Sequence, residues 1–184
     1  MKDPLFFIAI LPDASIQKEV TAFKQYCAKH FNASHSLTSP PHITLIPPFP
    51  WSMGNLQKLG DALEDFAARQ QPFPISLENF GAFPPRVIFV EIKPNQQLEA
   101  LQASLAKHLE ITIGLKKEDD RPFNPHLTIA HRDLQRRIFP DAWAHFSTEE
   151  YQRTFQADHL TLLRHTQRKW EIEEEFFLGM RYEV

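Results

Sequence analysis

The sequence predicts an α+β, bilobal protein: two pseudo-symmetric strand-helix-strand-helix-strand units about an internal two-fold axis. Three observations carry that expectation. Apolar segments rich in β-formers alternate with segments of helical periodicity. The alternation runs through twice in the same order. A short motif, Pro-His-aliphatic-Thr-aliphatic, stands once in each run, as Pro41-His42-Ile43-Thr44-Leu45 and Pro125-His126-Leu127-Thr128-Ile129. At 184 residues the chain suits one domain. We read 1-184 as a single bilobal domain with lobe-forming repeats at approximately 5-80 and 87-178.

The elements follow in order. Leu5 to Ile10 is an apolar run and reads as a buried strand. Asp13 is a helix cap, and Ile16, Val20, Phe23 and Cys27 fall on one helical face behind it. The first motif strand comes next. Leu56, Leu59, Leu63 and Phe66 mark a second helix, and Pro74 to Phe80 closes the first unit as a strand. Val87 to Ile92 opens the second unit. Asn95 caps its helix, whose stripe is Leu98, Leu101, Leu105 and Leu109. The second motif strand follows. Leu134, Ile138, Ala142 and Phe146 mark a weaker helix, and a strand runs roughly from Ala157 to Leu163. Trp170 to Leu178 adds a last strand. The register of the two units is close: Pro12 and Pro94 are 82 positions apart, His42 and His126 84.

Composition bounds the function. The 42% hydrophobic content is ordinary for a globular protein. A net charge of -3 supplies no basic field for long nucleic acid, whereas a short or terminal piece is compatible with it. Cys27 is the single cysteine, so no internal disulfide forms, which fits a reducing cytoplasm. The apolar stretch near the N-terminus is too short for a signal peptide, and none is long enough to span a membrane. The expectation is a cytoplasmic protein with no membrane association and no obligate protein partner.

The motifs carry the chemistry. Residues i and i+2 of a strand share a face, so His42 lies with Thr44 and His126 with Thr128. Ile43, Leu45, Leu127 and Ile129 then point to the core. A two-fold axis brings the two pairs face to face across a cleft. In-line displacement at phosphorus needs a base at the entering oxygen and an acid at the leaving one, and two histidines supply both. Two threonine hydroxyls can donate to the non-bridging oxygens. Metal chemistry fits less well. His126 and His131 have opposite strand parity, and there is no His-Glu-x-x-His and no cysteine cluster. The five glycines match no phosphate loop, and no Gly-x-Ser-x-Gly elbow occurs. We therefore expect no metal and no cofactor.

On these residues the chain resembles the 2H phosphoesterase superfamily, in its 2′-5′ RNA ligase-like branch. The resemblance covers nearly the whole chain: the opening "FFIAILP", both motifs, "VIFVEIK" between the units, and the closing strands. It implies antiparallel sheets flanking a central cleft, with helices outside. It implies metal-independent hydrolysis of 2′,3′-cyclic phosphates on RNA ends or nucleotides to 2′-phosphomonoesters, and in some members the reverse 2′-5′ ligation. His42 and His126 would be the acid/base pair, and Thr44 and Thr128 the phosphate ligands. RNA ends or small cyclic nucleotides would be the substrates. The alternative is a non-catalytic module that binds phosphorylated RNA ends or nucleotides. One position departs from the pattern. Relatives often carry arginine five places after the second histidine, where this chain has His131 followed by Arg132. A shift of one residue flips the facing side of a strand unless a bulge intervenes. Either residue is thus a candidate phosphate ligand. Phe49, Trp51 and Phe123 read as core aromatics, 116–123 as a charged loop, and 164–175 as a solvated hairpin.

Overall fold

A computed structural model describes residues 3–116 and 121–179; part of the charged loop expected at 116–123 lies outside the described residues. In chain order the elements are β1 (Leu5–Ile10), α1 (Ala14–Phe31), β2 (Ile43–Pro50), α2 (Leu56–Ala67), β3 (Phe73–Phe83) and β4 (Val87–Ile92). They continue with α3 (Gln96–Ile113), β5 (His126–Ala130), α4 (Phe139–Phe146), β6 (Gln152–Ala157), β7 (His159–Thr166) and β8 (Lys169–Phe177). Both expected caps form. Asp13 Oδ1 accepts from Ile16 N and Asn95 Oδ1 from Leu98 N, each at 3.0 Å. Each satisfies one of the orphan donors at a helix start.

The described strands all join one antiparallel sheet in the order β6-β3-β4-β5-β2-β1-β7-β8. The expected antiparallel sheets are thus two four-stranded halves of a single sheet. The halves meet where β2 pairs with β5 at Ile43 and Leu127. An approximate two-fold axis between those strands relates β1 to β4 and β2 to β5.

The sequence repeats and the sheet halves are not the same units. β3 lies between β4 and β6 in the second half, while β7 and β8 lie beside β1 in the first. The reason is local. Only residues 84–86 separate β3 from β4, and consecutive strands joined by so short a turn pair as a hairpin. The strand expected at Ala157 to Leu163 is two strands, β6 and β7, with Asp158 between them. β6 is an edge strand of mostly exposed polar residues, which leaves a weak hydrophobic pattern. α4 begins at Phe139, so Leu134 packs in the core ahead of the helix.

The helices cover one face of the sheet. The main core there includes Phe6, Ile8, Ile10, Ile43, Leu45, Leu127 and Ile129, all at 0–1% exposure. Burying each aliphatic side chain contributes roughly 1.5–3 kcal/mol. The motif strands are therefore anchored through the residues between His and Thr. A smaller apolar cluster, Phe7, Ala9, Leu11 and Leu163, lies on the opposite face under Trp170. That face carries Thr44, His126 and Thr128. Phe49 is buried, and Trp51 and Phe123 pack against the main core, as expected of core aromatics.

Candidate active site

Burial alternates along both motif strands as the sequence requires. Ile43, Leu45, Leu127 and Ile129 are buried, while Thr44, His126 and Thr128 are partly exposed on the other side. The register at the junction completes the arrangement. With Ile43 opposite Leu127 in an antiparallel pair, His42 falls opposite Thr128 and Thr44 opposite His126. Directly opposed side chains have Cβ atoms roughly 5 Å apart, and diagonal ones roughly 7–8 Å. His42 and His126 are the diagonal pair.

Each imidazole is held in the same way. His42 Nδ1 donates to Pro40 O and His126 Nδ1 donates to Asn124 O, both at 2.7 Å. A carbonyl only accepts, so Nδ1 carries the hydrogen, and Nε2 of each ring has no hydrogen-bond partner among the described residues. The intervening Pro41 and Pro125 explain the Pro-His pairing. Proline fixes its own φ and keeps the preceding residue extended, which sets the direction of the carbonyl two places before the histidine. Aromatic contacts fix the ring planes further. Phe7 lies 4.7 Å from the His42 ring, and Phe83 and Phe89 lie 5.2 and 5.1 Å from the His126 ring.

His42, Thr44 and Thr128 line one cavity of about 440 Å³ together with His131 and Arg132. His126 is not among its lining residues; it stands beside the cavity, next to Thr44. His131 and Arg132 both line the cavity. Arg132 has φ 49°, in the left-handed region, which interrupts the alternation of sides after β5. Such a conformation costs a non-glycine residue roughly 1–2 kcal/mol. Asp133 ties the turn down: its Oδ2 accepts from Ser34 N and His35 N at 2.8 Å each.

Burial disfavours the charged forms of the site's histidines. Burial pushes His42 down to about 4, with the positive charges of Lys24, His126 and His131 adding to the effect and the Pro40 carbonyl opposing it. His126 is lowered by burial, against its bond to Asn124 O. Burial, with His35 and Arg132, takes His131 to about 4. An anion between the imidazoles favours their protonated forms, so a bound phosphate reverses part of each shift.

Sequence reading singled out neither Lys24 nor His35, and it weighed Arg168 as a phosphate-steering residue before reading its hairpin as solvated. Lys24 is 2% exposed, and its Nζ donates to Ser36 O and Ser39 O at 2.9 Å each. Its signal was present: Lys24 lies four places after Val20, on the apolar stripe of α1. His35 sits in a short 3-10 turn, His35–Thr38, that no periodicity marks. Arg168 and Trp170 bring the β7–β8 hairpin to the cavity, so that segment is more than a solvated hairpin. Among the described residues, no group of three or more His, Cys, Asp or Glu is placed to hold a metal ion. No helix among them is long and apolar enough to cross a membrane.

Comparison with known proteins agrees with this architecture. A protein from Geobacillus kaustophilus (strain HTA426), provisionally named a phosphoesterase, is 29% identical over 175 residues, covering 94% of this chain and 95% of its own. A protein of the same provisional name from Bacillus cytotoxicus is 28% identical over 176 residues, again covering 94% and 95%. The crystal structure of a Thermus thermophilus protein superposes with a TM-score of 0.71 at 18% identity, covering 97% of this chain and all of that one. Escherichia coli LigT without ligand gives 0.65 at 19% identity, covering 98% of this chain and all of its own. LigT has also been solved with 3′-AMP and with phosphate. The model of the 2′-5′ RNA ligase superfamily matches residues 12–169, which include both histidine motifs and both strands of the junction between the halves. The chain belongs to the 2′-5′ RNA ligase superfamily.

Proposed function

We propose that the protein hydrolyses 2′,3′-cyclic phosphates on RNA ends or nucleotides to 2′-phosphomonoesters, without a metal. The observation that carries this reading is the matched pair of imidazoles. Each has Nδ1 tied to a carbonyl and Nε2 free, with a threonine hydroxyl opposite. A binding module needs no such control of tautomer. The phosphate lies between the rings, and Thr44 and Thr128 donate to its non-bridging oxygens. One Nε2 accepts a proton from water as the water oxygen bonds to phosphorus. The bond from phosphorus to the 3′ oxygen breaks, and the other imidazole, protonated at Nε2, gives its proton to that oxygen. Protons balance, and the pair ends with the charge states exchanged. Since entering and leaving oxygens lie on opposite sides, one pose yields one regioisomer. Departure of the 3′ oxygen rests on the family resemblance.

The test is turnover of a 2′,3′-cyclic nucleotide in excess chelator, with the product read by phosphorus NMR. A single 2′-phosphate is the expected product. Activity lost to chelator and restored by metal would contradict the mechanism, as would an equal mixture of isomers.

A further inference from the structure

The quartet at the strand junction accounts for one phosphate, yet further basic side chains line the same cavity. Lys24, His35, His131 and Arg132 all line it, and among the described residues no carboxylate does. These four come from outside the two motif strands, on α1, on the 35–38 turn and on the turn after β5. The elements are fastened to one another. Asp133 Oδ2 holds the backbone N–H groups of Ser34 and His35, and Ser36 Oγ donates to Ile129 O at 2.7 Å. The His35 and His131 rings meet edge to face with centroids 4.9 Å apart.

Lys24 is the most telling member. Its ammonium is almost fully buried and donates to two carbonyls. An ammonium has three hydrogens, so one donor is left on the cavity side. A buried cation without a counter-ion is costly, and an anion in the cavity offsets that cost. Asp133, the carboxylate whose charge reaches His131, has Oδ2 taken by main-chain donors and Oδ1 buried without a hydrogen-bond partner among the described residues.

We infer that the wall of Lys24, His35, His131 and Arg132 is a second anion subsite, which takes a further phosphate of the same substrate. This rests on the proposed cyclic-phosphate reading. With the 2′ and 3′ oxygens both in the ring phosphate, the 5′ oxygen is the ribose hydroxyl left to carry another. The preferred substrate is then a nucleoside 2′,3′-cyclic phosphate bearing a 5′ phosphate, as a monoester or as the diester to a preceding nucleotide. Burial takes Lys24 to about 7 and, with His35 and Arg132, His131 to about 4, and an anion bound beside them would favour both charged forms.

The experiment compares kcat/KM for three substrates: a nucleoside 2′,3′-cyclic phosphate, its 5′-phosphorylated form, and a dinucleotide ending in the same cyclic phosphate. Both doubly phosphorylated substrates should be favoured on the order of ten- to a hundredfold, the range for hydrogen bonds to a charged group. Arg132→Gln, at an exposed position, and Lys24→Met should each bring that ratio toward one. Thermal unfolding of Lys24→Met checks its fold, while Arg132→Gln keeps the test decisive if that variant is unstable. Equal kcat/KM for all three substrates in the wild type overturns the subsite. Preference for the dinucleotide alone also overturns it, because the neighbouring nucleoside would then be what is recognised. A ratio unchanged in both variants removes it from this wall. Inactivity on every substrate would instead refute the cyclic-phosphate reading itself.

Discussion

Gly81→Ala should impair catalysis although Gly81 touches no reacting group. Gly81 of β3 pairs with Phe89 of β4. A Cβ at that position would sit 2.5 and 2.6 Å from Cε2 and Cζ of the Phe89 ring. Carbon atoms pack at roughly 3.5–4 Å, so the ring must retreat by about 1 Å. Phe89 packs against Phe83 at 4.5 Å and against His126 at 5.1 Å, and Phe83 also meets His126. The retreat therefore reaches the imidazole. A displacement of about 1 Å at a reacting group costs on the order of a hundredfold in rate. The overpacking itself should cost about 1–3 kcal/mol of stability. The assay is kcat on a 2′,3′-cyclic nucleotide together with thermal unfolding. Gly60→Ala in α2 is the control, since its nearest contact would be Glu174 Oε2 at 3.4 Å, the end of a flexible side chain. That change should leave kcat intact. A Gly81→Ala enzyme with reduced Tm and wild-type kcat would show that Phe89 does not position His126.

Four further expectations follow from the site. His42→Ala and His126→Ala should each lower turnover by about a hundred- to ten-thousandfold, the usual loss for a general acid or base, with a smaller change in KM; near-normal turnover in both would remove the acid/base pair. The rate against pH should be bell-shaped, because one imidazole must be neutral and the other protonated; a monotonic profile would count against the pair. Stability should rise with pH in two windows. His42 and His131 have folded values near 4 against an ordinary 6.5, so the unfolded chain binds more protons between these limits and stability falls as pH drops through them. Lys24 gives the same sign between about 7 and its ordinary 10.5, and denaturant titration of Lys24→Met at pH 7 and 10 should show that upper rise abolished. Asp133→Ala, which releases Ser34 N and His35 N, should destabilise by about 1–3 kcal/mol and raise KM; unchanged values for both would mean the 35–38 turn is held without it.

What the sequence made legible was local or periodic. The caps at Asp13 and Asn95 and the alternation through Ile43–Leu45 and Leu127–Ile129 are properties of a few adjacent residues, and the structure contains each one. The pairing of His42 with Thr128 was not legible, because it depends on the register between strands far apart in the chain. The exchange of β3 was hidden for the opposite reason: a three-residue turn was read as a boundary between lobes when it closes a hairpin. His131 and Arg132 could not be ranked from parity, since nothing in a His-Arg-Asp sequence announces that the arginine adopts φ 49°. Lys24 was readable in principle as a charge on an apolar stripe, yet its purpose depends on the carbonyls of Ser36 and Ser39 that surround it.

The crossing of β3 and the return of β7 and β8 bear on how the molecule can move. Prising the two halves apart would not resemble opening a book. β3 is gripped along its length between β4 and β6, and β7 between β1 and β8. The polypeptide passes from one side to the other before each of these strands, like a lace drawn through both edges of a shoe. The gap between His42 and His126 is set by the register at the β2–β5 junction. On the proposed mechanism a substrate phosphate must match that gap, so rejection of misfitting esters would fall to the scaffold, before any contact with the imidazole nitrogens. Cutting the backbone at the 84–86 turn would not release two working lobes. It would leave each piece lacking strands that only the other can supply.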